Sequence, residues 1–223
     1  SFVSGVRPEQ FVPLAVVRRS GIDESVHFGA CVGLASDGRI AFSLGDPHVE
    51  IFPRSSTKPL QALGMVRAGL ILPPEKLALV CSSHNGEEVH QNMVLEILEE
   101  FGLSENDLGN TADHPIHIDS AHAAIRNGRP KSALQMGCSG KHSGMLATCV
   151  INGWPTSGYL ERTHPLQQAI TATIADVTGK DASAIGVDGC GAPAHVIELV
   201  GMARAMRAMA IGEAGDSGLQ IYA

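Results

Sequence analysis

The chain has 223 residues, 44% of them apolar and only 4% aromatic, with a formal net charge of −7. That length fits one domain, or a large lobe with a small one, and the apolar share can fill a sizeable core with Leu, Val, Ile, Ala and Met. An acidic balance without a basic patch argues against nucleic acid, and no apolar run reaches membrane-spanning length.

Residues 1–5, Ser-Phe-Val-Ser-Gly, lack the basic-then-apolar pattern of a secretory leader. Phe11–Arg18 and Val26–Ala35 are apolar and β-branched, and read as strands. Asp37-Gly38 marks a tight turn into Arg39–Leu44, and Val49–Phe52 is a short fourth strand, so an antiparallel meander is expected. From Lys58 the pattern turns helical. Leu60, Leu63, Val66 and Leu70 form one stripe, with Pro59 in the first turn, where its missing N–H costs nothing. Leu77–Val80 reads as a short buried strand or run. Glu87–Phe101 is the clearest helix, opened by acids and closed by Gly102. Ser104–Asp107 reads as a capped turn, and Ser120–Arg126 as a short helix stopped by Asn127-Gly128. Ala133–Met136 reads as a strand feeding a loop at Cys138, with a helix following to Ile151. Pro165 opens a helix to Val177, Ile185–Val187 is a short strand, and His195–Met209 is the last helix. Residues 212–218 have linker composition. Strands first and helices after imply an α+β fold with an antiparallel sheet.

Four segments carry chemistry. Met136-Gly-Cys-Ser-Gly-Lys-His-Ser-Gly144 packs a thiol, an amine and an imidazole between glycines, which allow sharp turns and close approach of a ligand. Asp188-Gly-Cys-Gly-Ala-Pro193 repeats the recipe, so one site built from two distant segments is expected. Ser55-Ser-Thr-Lys58 lies between a strand and a helix. Positions i and i+3 share a helix face, so Lys58 can point with Ser55, and a desolvated lysine can take a serine proton. Cys81-Ser-Ser-His-Asn-Gly-Glu87 adds hydroxyls, an imidazole and a carboxylate, although Ser83 as a helix cap explains it structurally. Gly140-Lys141 is no phosphate loop, because Gln135 replaces its first glycine. His114, His117 and His122 share no helix face and read as loop histidines. Two thiolates suit zinc, with a third ligand and water completing a tetrahedron. Five cysteines, most in apolar runs, suit a reducing cytoplasmic setting.

These four segments, with Arg54 and Pro59 flanking the first, resemble the rhizobial-type, third-class L-asparaginases of the asparaginase II family. They occur in the family's order, and the resemblance runs from about Pro13 to about Met209. It implies an α+β fold similar to serine β-lactamases and penicillin-binding proteins, as one asparaginase-like domain over 1–223. It also implies hydrolysis of L-asparagine to L-aspartate and ammonia by a homodimer. Carried over residue by residue, Ser55 is the nucleophile or its partner, Lys58 its base, and Ser83 part of a second Ser–Lys pair. Cys138, Lys141 and Cys190 bind zinc, while Arg54, His142 and Asp188 hold the substrate's charged ends. Family members continue into a Gly-rich stretch carrying the lysine for the Ser83 position. No lysine follows Lys180 here, so the resemblance implies that the C-terminal part is missing. A second reading is a catalytically silent remnant that keeps the metal site or a partner surface. A minor third is a penicillin-recognising serine hydrolase, since Ser83-His-Asn85 imitates one motif of that class.

Overall fold

The computed structural model describes residues 5–222. The fold is α+β, with strands and helices in the expected order. β1 (Val12–Arg19) and β2 (Ile22–Gly29) form a hairpin around Ser20-Gly21, and β3 (Cys31–Leu34) and β4 (Ile40–Leu44) form another across Asp37-Gly38. β5 (Glu50–Ile51) pairs with β8 (Ile197–Glu198), and β6 (Ile185–Val187) with β7 (Pro193–His195). Among the described residues these are four two-stranded antiparallel sheets, not one meander. The run Val26–Ala35 divides at Ala30, where one hairpin ends and the next begins. β5 is captured by a strand nearly 150 residues away. A period of two shows which face a residue takes but not which partner its backbone finds.

Helices enclose the core. α1 (Lys58–Arg67), α2 (Pro74–Cys81), α3 (Glu88–Glu100) and α6 (Pro165–Thr178) pack around α5 (Ser139–Ile151), which is buried at every residue from Ser139 to Cys149. α4 (Ile118–Arg126) lies outside this group, with Ala124 its one buried residue. α1 crosses α6 closely at Gly64, where a Cβ would lie 2.9 Å from the Cα of Ile170. Among the described residues no helix is long and apolar enough to cross a membrane.

Four further expectations are revised. Leu77–Val80 belongs to α2, which Pro74 opens at its first turn. Four apolar residues are too few to reveal a 3.6 period. Residues 133–136 form turns rather than a strand. Three of their carbonyls find donors outside a sheet, Ala133 O from Asn110 Nδ2 (2.8 Å), Leu134 O from Ser139 Oγ (2.9 Å) and Met136 O from Ser139 N–H (2.9 Å). His195–Glu198 is strand, and the last long helix begins later, as α7 (Leu199–Ala210). The linker-like tail contains α8 (Gly215–Tyr222), whose Gly218 is buried against Ala214 and Met209.

Candidate active site

Four chain turns converge. A 3-10 turn, Arg54–Thr57, delivers the chain into α1. The loop after α2 carries Ser83, the first turn of α5 carries Cys138 to His142, and the β6–β7 hairpin tip carries Asp188 and Cys190. They line a cavity of about 210 Å³, whose walls include Arg54, Ser55, Ser83, Cys138, Asp188 and Cys190. The remaining three predicted residues, Lys58, Lys141 and His142, are 1%, 1% and 0% exposed and do not line it. Gly140 and Gly144 let neighbouring protein approach closely, while Gly137 lines the cavity. A Cβ on Gly140 would meet the Leu79 carbonyl at 2.9 Å, and one on Gly144 would meet Val80.

Lys58 has three acceptors: Ser82 O at 2.7 Å, Ser83 Oγ at 2.9 Å and Gly137 O at 3.3 Å. Its amine therefore contacts Ser83, whereas the spacing had paired it with Ser55. The helix register explains the difference. Ser55 sits in a 3-10 turn and Lys58 opens the α-helix, so the side chain runs inward toward the neighbouring loop. Burial, foremost, and the Lys141 charge push the Lys58 amine below its ordinary range, against the opposing pull of Cys138 and Cys190. A neutral amine has two N–H bonds and one lone pair. Those match two carbonyls and one hydroxyl proton.

His84 clamps the loop in place. Its backbone N–H donates to Gly137 O (3.2 Å), and Gly86 N–H donates to its Nδ1 (3.1 Å). Its Nε2 meets Ser139 Oγ at 3.0 Å and accepts the Gly140 N–H at 3.3 Å, so the ring ties the Ser83 loop to the first turn of α5. Burial, then the His90 and Lys58 charges, lower its pKa from 6.5 to about 4. Burial and Arg162 do the same to His195. The unfolded imidazoles take up protons below about pH 6.5, the folded ones only near pH 4. Stability should therefore fall as pH drops through that window, by about 2–3 kcal/mol per histidine at pH 4.5. Urea unfolding at pH 7.5 and 4.5 checks this, and equal midpoints would contradict it.

Cys138 and Cys190 face the same cavity, and Lys141 Nζ is 3.3 Å from the Cys190 sulfur. The Cys138 hydrogen bond foremost, then His142 and the Lys141 charge, lower the Cys190 thiol. Its partner is raised by that same bond and by burial. Cys81 and Cys149, each pushed up to about 11 by burial alone, are inert by comparison. Among the described residues no three His, Cys, Asp or Glu side chains form a metal cluster. The donor set is instead two thiols and one buried amine, which zinc accepts if the lysine is deprotonated.

At the opposite wall Arg54 meets Asp188, with Nε at 2.9 Å and a terminal nitrogen at 2.8 Å from the same carboxylate oxygen. Arg54 holds a left-handed backbone (φ 53°), which costs about 1 kcal/mol or more in a non-glycine residue. Thr57 Oγ1 donates to its carbonyl (2.7 Å). A strained arginine is thus paired, at the cavity wall, with an acid whose side chain is only 14% exposed.

The family model described as L-asparaginase II matches residues 15–220. The chain belongs to the L-asparaginase II family. A comparison with curated proteins finds no match.

In this L-asparaginase II chain the cavity also takes Asp113, His114, Ile116 and Met136. Asp113 and Ile116 did not stand out in the sequence, His114 had been read as a loop histidine, and Met136 opens the Cys138 segment. Asp113 is held by Lys131 at 2.7 Å, and Met136 Sδ accepts the Cys138 N–H (3.2 Å). Of the three loop histidines only His114 lines the cavity. His117 begins α4, with Nδ1 3.0 Å from Ser120 Oγ, and His122 is exposed. Tyr159, behind His142, was also missed, for its surroundings look like an ordinary polar turn.

Proposed function

We propose that this cavity hydrolyses L-asparagine to L-aspartate and ammonia, with Ser83 as the hydroxyl activated by Lys58. The observation that carries the reading is the Lys58–Ser83 contact of 2.9 Å at the cavity wall of an asparaginase II chain. The amine takes the hydroxyl proton as Oγ attacks the side-chain amide carbon. The tetrahedral adduct collapses, the C–N bond breaks, and the same proton leaves with ammonia. Water then attacks the resulting aspartyl ester, frees L-aspartate and restores the serine. Ser55, in the same cavity, is the second hydroxyl. Direct attack by Ser83 is favoured because the amine touches Ser83 and makes no hydrogen bond to Ser55 among the described residues.

Arg54 suits the substrate carboxylate, and Asp188 its ammonium. Cys138, Lys141 and Cys190 would hold zinc, which supplies a positive centre that orients and polarises the substrate. The five cysteines are free thiols, which suits a reducing compartment such as the cytoplasm.

Ammonia release from L-asparagine by the protein and two variants tests the assignment. Ser83→Ala is expected to lose at least about 10³-fold in kcat, because a nucleophile without a substitute is removed. Ser55→Ala should retain more activity than Ser83→Ala. The reverse ranking would make Ser55 the attacking group, and wild-type protein without ammonia release would sink the reading.

A further inference from the structure

We propose that a second cavity, apart from the active site, binds a small acidic amino acid, with Arg204 holding its extra carboxylate. This cavity has a volume of about 350 Å³, against about 210 Å³ for the active-site cavity, and the two share no lining residue. Its size falls in the range usual for small-molecule sites. Only its link to the reaction rests on the asparaginase reading, because L-aspartate is both an acidic amino acid and that reaction's product.

Three helices, the turn before α8 and a hairpin tip enclose the space. Arg67 comes from α1, Asp176 from α6, Arg204 and Arg207 from α7, Glu213 from the turn, and Gly38 from the β3–β4 hairpin. Two ion pairs stand in the wall. Arg67 Nη1 is 2.8 Å from Asp176, and Arg207 Nη1 is 2.6 Å from Glu213. Backbone carbonyls fix both guanidiniums, Arg207 Nε donating to Ser36 O at 3.1 Å and Arg67 Nη2 to Ala214 O at 3.3 Å. Arg204 belongs to neither pair. It is exposed and makes no hydrogen bond or ion pair among the described residues. Three cations thus face two carboxylates, leaving one positive charge in excess.

Ordinary helix chemistry accounts for Arg67 and Arg207, since each lies in the last turn of its helix, where a cation offsets the dipole. It does not account for Arg204. That residue stands one turn before Arg207 on the same helix face, and like charges at that spacing repel. An anion between them removes the repulsion. The order of charges then selects the ligand. The paired arginines are the inner members, 30% and 18% exposed, and their acids the outer ones, 66% and 57% exposed. A plain dianion would have to pass the carboxylates at the rim. An amino acid leaves its ammonium among them and turns its carboxylates inward, onto guanidinium forks that match them. Partly exposed ion pairs are weak, so opening them toward a ligand costs little. With two carboxylates and one ammonium, an acidic amino acid carries the single negative charge that balances the excess.

The test is a titration of the full chain with L-aspartate, read by nitrogen NMR of the arginine side chains, with Arg67→Lys, Arg204→Lys and Arg207→Lys identifying the signals. The Nε–H signals of all three should shift together and saturate, and should do so equally in Asp188→Asn, which alters only the active-site cavity. Arg204→Ala removes an exposed side chain without partners, so the fold should survive. Read from Arg67 and Arg207, it should weaken L-aspartate binding about 10–150-fold, the worth of one charge-assisted bond. Initial ammonia release from L-asparagine by that variant should be unchanged. Absence of a saturable shift at the three arginines would overturn the proposal. So would undiminished binding in Arg204→Ala, or succinate or inorganic phosphate binding as tightly as L-aspartate, since neither carries an ammonium. Normal ammonia release without those shifts would defeat this proposal alone. Shifts without ammonia release would defeat the asparaginase reading and leave the second site standing.

Discussion

Lys58→Met is expected to lower kcat for L-asparagine by about 10²–10⁴-fold, the usual cost of a lost general base. The side chain is 1% exposed, and no other amine contacts Ser83 Oγ among the described residues. Methionine has nearly the same length and removes only the amine. Stability should move much less. Three hydrogen bonds are lost, but so is the cost of desolvating an amine, and the two oppose each other. A change within about 2 kcal/mol is expected. Urea unfolding of the variant separates loss of chemistry from loss of fold. A folded Lys58→Met protein within about tenfold of wild-type turnover would show that the base lies elsewhere.

Substrate selection should depend on the Arg54–Asp188 pair. A zwitterionic amino acid can insert into such a pair, its carboxylate meeting the guanidinium and its ammonium the carboxylate. One ion pair becomes two. Asp188→Asn retains hydrogen bonding to Arg54 and Gly189 but removes the charge that attracts the ammonium. A charge-assisted bond contributes about 1.5–3 kcal/mol, so kcat/KM for L-asparagine should fall about 10–150-fold, chiefly through KM. An analogue lacking the ammonium should lose little between wild type and variant. Equal losses for both compounds would show that Asp188 acts on the loop rather than on the substrate. Arg54→Lys is a poor substitute, because an ammonium cannot reproduce the guanidinium fork.

The helices were legible where their apolar stripes were long. α3, α5 and α6 fall within a residue or two of their expected bounds. α2 and α8 were not legible, since eight residues rich in proline or glycine do not display a period. β1 to β6 were seen as strands and the β3–β4 hairpin was expected, but β7 and β8 were read as loop and helix, so β5's pairing with β8 across most of the chain was not foreseen. At the site, the motifs located Ser83, Cys138, Asp188 and Cys190 along the cavity wall. What spacing could not supply was depth and direction. Ser55 and Lys58 are three apart, yet a change from 3-10 to α geometry separates their roles. Asp113 lines the cavity from a turn whose sequence carries no sign of it.

The site's second half stands on the first turn of α5, the most enclosed helix, buried from Ser139 to Cys149. Its amides can exchange with solvent only when most of the core opens, whereas the β1–β2 hairpin, exposed along nearly its whole length, can open separately. Any catalytic competence of this site depends on that enclosed core rather than on the hairpin. It should persist through any partial opening of the hairpin and vanish together with the global transition, making turnover a direct gauge of the folded population.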